Sequence, residues 1–438
     1  MNSSKNNTEN LIAEIEISKL FSAILKTNSE KKIDPSFKFT NKVFSVGGFV
    51  RDQHLNVFSN DLDLVIELSD GAKLFSEYIH SQFQIETTKP FQKGLGYPIW
   101  SFKFTDDVHF QNVIYKTKNG SVDFADSQKE CFPDPNTRQR ITTYGNLTED
   151  IQRRDFTINM LAENLTTNKI LDLSESAIKD LNAKLIQIHP KSNPDQVFTD
   201  DPLRMIRAIR FSCKYNFKIN AKVQDSIRKN AARIEILSKE RIWDEFKKII
   251  SNKNIFQALQ MLKDFGLLKY IFTNPDQLNI SKNELDTAAE HLALNLAVLF
   301  KNFTATDAEK ILKELKTETD IRKQTLLIMA AHKEYLSQII SVRQFARTYF
   351  SQLQDIQILI PELTPILNAA LRIPLQMTSK LNGHDVMNIF SVNGRDIQKI
   401  LSEALKIEDE FILNTHRKYD DPALQTEVLI KLKAHFVK

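Results

Sequence analysis

The stretch from Val43 to Glu67, VFSVGGFVRDQHLNVFSNDLDLVIE, leaves the chain few ways to fold. Val43 to Val46 is an apolar run of the length of a buried strand. Gly47-Gly48 ends it, and two glycines let the backbone turn tightly and bring bare N–H groups close to a ligand. Phe49 to Val57 reads as a short helix carrying Arg51 and Asp52, and Asn60 breaks it. Asp61 to Glu67 is a second strand by its β-branched content and length. Side chains alternate along a strand, so Asp61 and Asp63 share one face while Leu62, Leu64 and Ile66 take the other. Two carboxylates side by side repel each other, and a divalent cation is the usual offset. Magnesium favours carboxylate and phosphate oxygens together, so the pair points to a metal-bound nucleotide. The competing reading is a strand edge with two unrelated acids; the GG and RD upstream weigh against it.

Seven of the ten glycines lie at or before Gly145. Turn-rich mixed structure is therefore expected at the front, and helix after helix behind it. Leu11 to Leu25 has helical periodicity, and Ala72 to Phe83 reads as a helix. Gln84 to Glu86, Ile99 to Phe104, Gln111 to Lys116 and Ser121 to Phe124 read as strands. Asp123 on the last of these reads either as a third acid beside the pair or as a surface acid on an edge strand. In the first case it would ligate a metal or accept the proton of an attacking hydroxyl. Lys129 to Glu149 shows no period, and a loop of that length inside a domain is usually functional or disordered.

Arg153-Arg154-Asp155-Phe156-Thr157-Ile158-Asn159 follows. Asp155 is expected to cap a helix starting at Phe156, with Asn159 one turn on and on the same side. Arginines just before a helix N-terminus make a triphosphate cradle. Asp155 can accept a hydrogen bond from a ribose hydroxyl. Asn164 to Leu173 reads as a connecting hairpin, and Ala177 to Ile188 as a helix then a strand. In Asp200-Asp201-Pro202-Leu203-Arg204, the acid and proline mark a helix start. Asp201 and Arg204 are one turn apart and present an acceptor and a donor, a pair able to read a base edge. The bland alternative is a surface ion pair, which is worth little.

GGFVRD with DLDLV, RRDFTIN, DDPLRMIRAIR and Glu240-Arg241-Ile-Trp-Asp-Glu245-Phe246 resemble the motifs of the class II tRNA nucleotidyltransferase and poly(A) polymerase family, within the DNA polymerase beta superfamily. The resemblance covers residues 43–250 by motif and is weaker beyond. It implies an α+β fold: a nucleotidyltransferase head with a mixed β-sheet and helices (1–160), a helical neck (161–255), a helical body (256–350) and a helical, tRNA-binding tail (351–438). It also implies template-independent addition of C, C and A to the tRNA 3′ end from CTP and ATP, with release of pyrophosphate. Asp61 and Asp63 would hold two Mg2+ ions, with Asp123 as the third catalytic carboxylate. Gly47, Gly48, Arg51, Arg154, Asp155, Asn159, Asp201, Arg204, Arg207 and Arg210 would bind the nucleotide, Asp201 and Arg204 choosing the base. The loop after Asp123 corresponds to one that helps switch from C to A addition. Two positions depart from the pattern: Asp200 stands where glutamate is usual, and Gln128 where relatives often carry arginine.

Poly(A) polymerases and partial CC- or A-adding enzymes share these motifs. A catalytically inactive RNA-binding relative belongs to a different class, and the intact DLD argues against it. The segment Ala288 to Phe300 lies where many relatives carry an HD phosphohydrolase domain. Here it holds His291 alone, and the one His-Asp pair is His384-Asp385, so no phosphohydrolase activity is expected. Arg343, Arg347, Lys399, Arg417 and Lys418 are candidate contacts for a tRNA backbone or plain solvated charge.

Composition bounds the rest. The 438 residues suffice for two to four packed units. No run of 18 apolar residues occurs, so no membrane span is expected. The N-terminus lacks an apolar core and a cleavage pattern, and two cysteines suit a reducing compartment, so a cytoplasmic location is expected. A net charge of +4 neither demands nor excludes nucleic acid. The oligomeric state, monomer or homodimer, is open.

Overall fold

The first two expected strands form in a computed structural model of the chain. It describes residues 17–27, 38–57, 62–93, 97–131, 133, 141–287, 291–337, 345–346, 348–364, 379, 381–392, 394–415 and 422–436. Asp61, Arg343, Arg347, Arg417 and Lys418 lie outside these residues, as does most of the segment from 132 to 140. The described residues divide into two units, Met1–Leu237 with Met261–Tyr270, and Ser238–Gln260 with Ile271–Lys438.

The described residues of the first unit include eleven strands and two further short ones. They are β1 (Val43–Val46), β2 (Leu62–Ile66), β3 (Phe91–Lys93), β4 (Ile99–Lys103), β5 (Val108–Phe110), β6 (Val113–Tyr115), β7 (Ser121–Asp126), β8 (Gln128–Cys131), β9 (Ile141–Tyr144), β10 (Leu161–Asn164) and β11 (Lys169–Asp172). Seven of them form one mixed sheet in the order β11-β10-β1-β2-β7-β4-β3. The β2–β7 pair is parallel, and the other neighbours are antiparallel. The shorter β12 (Leu185–Ile186) and β13 (Lys218–Ile219) pair in parallel.

The β2–β7 register decides which face does chemistry. Leu62 pairs with Val122 and Leu64 with Phe124, and all four are buried. Phe124 lies 6.1 Å from both Phe21, in the helical stretch 17–27, and Phe75, in the Gly71–Gln82 helix. Buried aromatics of this kind bury large apolar areas and pack edge-to-face. The opposite face carries Val65, covered by Leu147 and Ile151 of the Leu147–Gln152 helix, and then Asp63. Asp126, at the end of β7, lies on the same face as Val122 and Phe124 and accepts the backbone N–H of Ala72 at 2.6 Å. It thereby ties the start of that helix to the strand.

Some local expectations need correcting. Gln84–Glu86 forms turns, not a strand, because Ile85 is exposed and only Thr87 bridges to Phe104. Gln111–Lys116 is the turn and second strand of a β5–β6 hairpin. The aperiodic stretch after Asp123 contains a β-ribbon, with Gln128 paired to Tyr144 and Cys131 to Ile141. Its strands QKEC and ITTY are short and mostly exposed, so neither alternation nor an apolar run marks them. Gly145 allows the ribbon to close: a Cβ there would sit 2.9 Å from the Lys129 backbone nitrogen. The Asn164–Leu173 hairpin and the helix and strand within Ala177–Ile188 form as expected.

The second unit is helical throughout its described length. Phe246, Phe272, Phe300 and Phe303 make a chain of edge-on ring contacts at 5.0, 6.0 and 5.3 Å. Within it, the buried Asn295 donates to the Ile250 carbonyl at 2.8 Å. Phe246 of the ERIWDEF stretch is therefore part of this core. Asp385 of the His384-Asp385 pair serves as a helix cap, accepting the Asn382 N–H at 3.0 Å. Lys399 pairs with Asp396 at 3.3 Å. No described helix is long and apolar enough to cross a membrane.

Candidate active site

The site is assembled from the end of β1, the face of β2 and β7, and the turn after the Leu147–Gln152 helix, all within the first unit. Asp63 is the exposed residue of β2, and its register partner on β7 is Asp123. In a parallel pair, register partners project from the same face. The acid read either as catalytic or as an edge-strand residue thus lies directly beside the DxD strand. Asp123 also accepts from Lys93 of β3, whose Nζ lies 2.6 Å from Oδ1. Among the described residues no three His, Cys, Asp or Glu side chains gather to hold a metal; Asp61, two residues before Asp63, lies outside them. The donor chemistry fits a hard dication: an exposed carboxylate and a neighbouring one across the ladder, both oxygen ligands.

Gly47 takes φ 65° and ψ −118°, a conformation that L side chains rarely adopt. A Cβ there would come 2.6 Å from the Arg154 guanidinium, so the bare Cα makes room for that arginine. Gly48 starts the Gly48–His54 helix in ordinary conformation, with a Cβ contact of 3.5 Å at Arg51.

The arginine cradle is organised by a residue the sequence reading missed. Asp150 is fully buried. It accepts from Arg153 at 3.1 and 2.8 Å, from Arg154 at 3.0 Å and from the Gln128 backbone N–H at 3.1 Å. Burial alone would raise its pKa, but the charges of Arg154 and Arg153 outweigh it and hold the carboxyl below its ordinary range. Arg153 also donates to Glu130 on β8 at 2.6 Å, which fastens the ribbon to the cradle. The i,i+3 and i,i+4 spacing of Asp150 to the two arginines was the available signal.

Asp155 does not cap an α-helix. The turn after it is a single 3-10 turn, Thr157–Asn159, before β10 begins at Leu161. The β-branched Thr157 and Ile158 and the nearby strand leave no room for a helix. Asp155 instead accepts from the Phe156 N–H at 2.9 Å and from Asn159 Nδ2 at 2.7 Å on Oδ1, and from Arg207 Nε at 2.7 Å on Oδ2. Burial opposes its charge, yet the Arg207 charge, the Asn159 hydrogen bond and the Arg204 charge hold its pKa far below the ordinary value. It remains an acceptor at any physiological pH.

The Leu203–Tyr215 helix supplies the remaining candidates. Its cap is Pro202, one residue later than the sequence implies, and Asp201 accepts the Leu203 N–H at 3.3 Å. Arg204 donates to the Arg153 carbonyl at 2.6 Å, which brings the Asp201–Arg204 pair against the RRD turn. Arg210 lies over the Phe211 ring at 4.1 Å. Arg51 is buried, with its guanidinium over Phe211 and Tyr215 at 5.1 and 4.5 Å.

The chain is similar to proteins already known. Residues 43–187 match the Poly A polymerase head domain, and residues 216–279 match the probable RNA and SrmB-binding site of polymerase A. The tRNA nucleotidyltransferase cca2 of Schizosaccharomyces pombe is 30% identical over 317 residues, covering 67% of this chain and 63% of that protein. The CCA-adding enzyme of Ligilactobacillus salivarius is 29% identical over 294 residues, covering 65% of each. The chain thus spans a little under two thirds of these curated relatives. Among solved structures, the Thermotoga maritima CCA-adding enzyme complexed with tRNA superposes with a TM-score of 0.61 at 18% identity, covering 94% of this chain and 95% of that one. The Bacillus stearothermophilus CCA-adding enzyme in complex with CTP gives 0.62 at 17% identity, covering 92% and 98%. With the DxD strand, the RRD turn and the DDPLR helix brought together in one unit, the chain belongs to the tRNA nucleotidyltransferase and poly(A) polymerase family.

Proposed function

We propose that the chain adds C, C and A to the 3′ end of tRNA from CTP and ATP, without a template and with release of pyrophosphate. The observation that carries this reading is the register of Asp63 against Asp123 in the same unit as the arginine cradle. Asp61, Asp63 and Asp123 would hold two Mg2+ ions. Such ions, when bound, neutralise the phosphate charge and acidify the attacking 3′-hydroxyl. The other residues position and select. Arg154 offers guanidinium donors to the triphosphate while Asp150 fixes its orientation. Asp155 Oδ2 has one donor in Arg207 and a lone pair left for a ribose hydroxyl. Asp201 and Arg204 present an acceptor and a donor to the edge of the incoming base. Gly47 keeps the backbone clear of the cradle.

The tRNA 3′ end, CTP and ATP are the proposed partners, and cytoplasmic residence belongs to the same proposal. Both Cys131 and Cys213 are free thiols, as suits a reducing compartment. The test is to supply each nucleotide alone to tRNA ending just before its CCA. CTP alone should be incorporated, with UTP and GTP refused. Open-ended extension from ATP alone would instead identify a poly(A) polymerase.

Base choice gives a sharper expectation. Arg204→Ala should relax selection among nucleotides. A site that hydrogen-bonds its ligand rejects mismatches because its own buried groups would be left unpaired, and removing the donor removes that penalty. UTP and GTP should gain on CTP and ATP by about 1–3 kcal/mol of discrimination, the scale of bidentate base contacts. The measurement is kcat/KM for all four nucleotides on the folded variant. An unchanged preference ratio rejects base reading by Arg204.

A further inference from the structure

A closed circuit of hydrogen bonds joins two points on the Leu203–Tyr215 helix, its middle and its C-terminal end, to the head motifs. From Arg207 it runs to Asp155 Oδ2 at 2.7 Å, and from Asp155 Oδ1 to Asn159 Nδ2 at 2.7 Å. Asn159 Oδ1 then accepts from Arg51 Nη1. Arg51 Nε donates to Asp52 Oδ1 at 2.7 Å, and the same oxygen accepts the Tyr215 hydroxyl at 2.9 Å. Tyr215 sits two turns along the helix from Arg207, so the circuit returns to the element where it began. Arg51, Asp52, Asp155 and Asn159 are all at least nine-tenths buried.

The chemistry of the members fixes its direction. Arg51 is donor-only and ionised Asp155 is acceptor-only, so the amide of Asn159 can satisfy both in a single orientation. Arg51 is in turn held from two sides, by Asp52 at its Nε and by the Phe211 and Tyr215 rings against its face. Burial pushes the Tyr215 phenol above its ordinary range, so it stays a donor.

We propose that Tyr215 is a positioning residue: through Asp52 and Arg51 it fixes the Asn159 amide and hence the sugar-facing oxygen of Asp155. Arg51 accordingly acts behind the nucleotide site and braces it from within the fold. The sugar-facing part rests on the proposed nucleotide chemistry; the circuit itself does not.

The test uses Tyr215→Phe in the full chain, which keeps the ring under Arg51 and removes only the hydroxyl. Two readouts separate the questions. Equilibrium binding of CTP and 2′-deoxy-CTP should show the ribose preference falling about fivefold in the variant. Thermal midpoints of wild type, Tyr215→Phe, Asn159→Ala and the double variant should be non-additive, because each single change breaks the same circuit. Additive midpoints overturn the proposal, since they would show that loss of the Tyr215 hydroxyl is not felt at Asn159. An unchanged ribose preference in a folded variant that binds CTP also overturns it. If the wild-type chain binds no nucleotide, the proposed function falls, and the midpoints alone still decide whether the circuit acts as a unit.

Discussion

Asp63→Ala is expected to abolish nucleotidyl transfer and leave the fold intact. Asp63 is exposed on β2 and is the register partner of Asp123, so its removal opens no cavity in the core. The melting temperature should stay near that of wild type, as for most surface substitutions, and so should tRNA binding. Transfer should fall because a carboxylate metal ligand supplies several kcal/mol of transition-state stabilisation. The same loss is expected for Asp61→Ala. The check is a single-turnover assay with CTP in excess magnesium alongside a thermal melt. More than about a tenth of the wild-type rate would leave under about 1.4 kcal/mol for the residue to account for and would contradict the assignment.

Asp150→Ala is expected to act through stability and binding together. It strips Arg154 of its buried carboxylate partner, leaves Arg153 with Glu130 alone, and takes the acceptor from the Gln128 N–H. Removing one side of a buried ion pair typically costs about 3–5 kcal/mol. For a unit of this size that corresponds to a fall of roughly 6–20 °C in melting temperature. CTP affinity should drop as well, because the arginines lose their fixed orientation. A melt and a CTP titration read both effects, and an unshifted midpoint would show that Asp150 is not the organiser of the cradle.

The depressed pKa values of Asp150 and Asp155 give stability a pH dependence of definite sign. In the unfolded chain both titrate near about 3.9, whereas the folded chain binds those protons only at lower pH. Their contribution is therefore complete above the unfolded value and is lost as pH falls through the folded values. Urea unfolding followed from pH 7 to 3 should show stability declining most steeply below about pH 5. Asp150→Asn should make that decline shallower. Equal slopes in the two proteins would mean that Asp150 is not held ionised by the arginines.

The candidate site residues were legible because their chemistry leaves marks at short range. Asp63 shows itself by strand alternation, and Gly47 by its place between a strand and a helix. The arginines show themselves by adjacency to Asp155. Asp123 could be read only as one of two things, because its meaning depends on a register across 60 residues of chain that a local pattern does not contain. The α+β head and helical remainder followed from where the glycines lie. The β8–β9 ribbon was hidden by exposed, short strands, and Asp155 was misread as a cap because the following turn is decided by the strand it feeds. Asp150, Asp52 and Tyr215 were hidden for a different reason. Each is an ordinary helix residue in sequence, and burial decides its role: Asp150 beside the two arginines that follow its helix, Asp52 between Arg51 and the Tyr215 hydroxyl that arrives from another helix.

The central claim is that one site adds three specific nucleotides in order and then stops. Sequencing the 3′ ends of a tRNA transcript lacking CCA, after incubation with the protein, CTP, ATP and magnesium, tests it most directly. The account predicts a single dominant product extended by C, C and A, and a product extended by two C residues when ATP is withheld. A product that stops at C-C with both nucleotides present, a long tract of A, or an unextended 3′ end would contradict it.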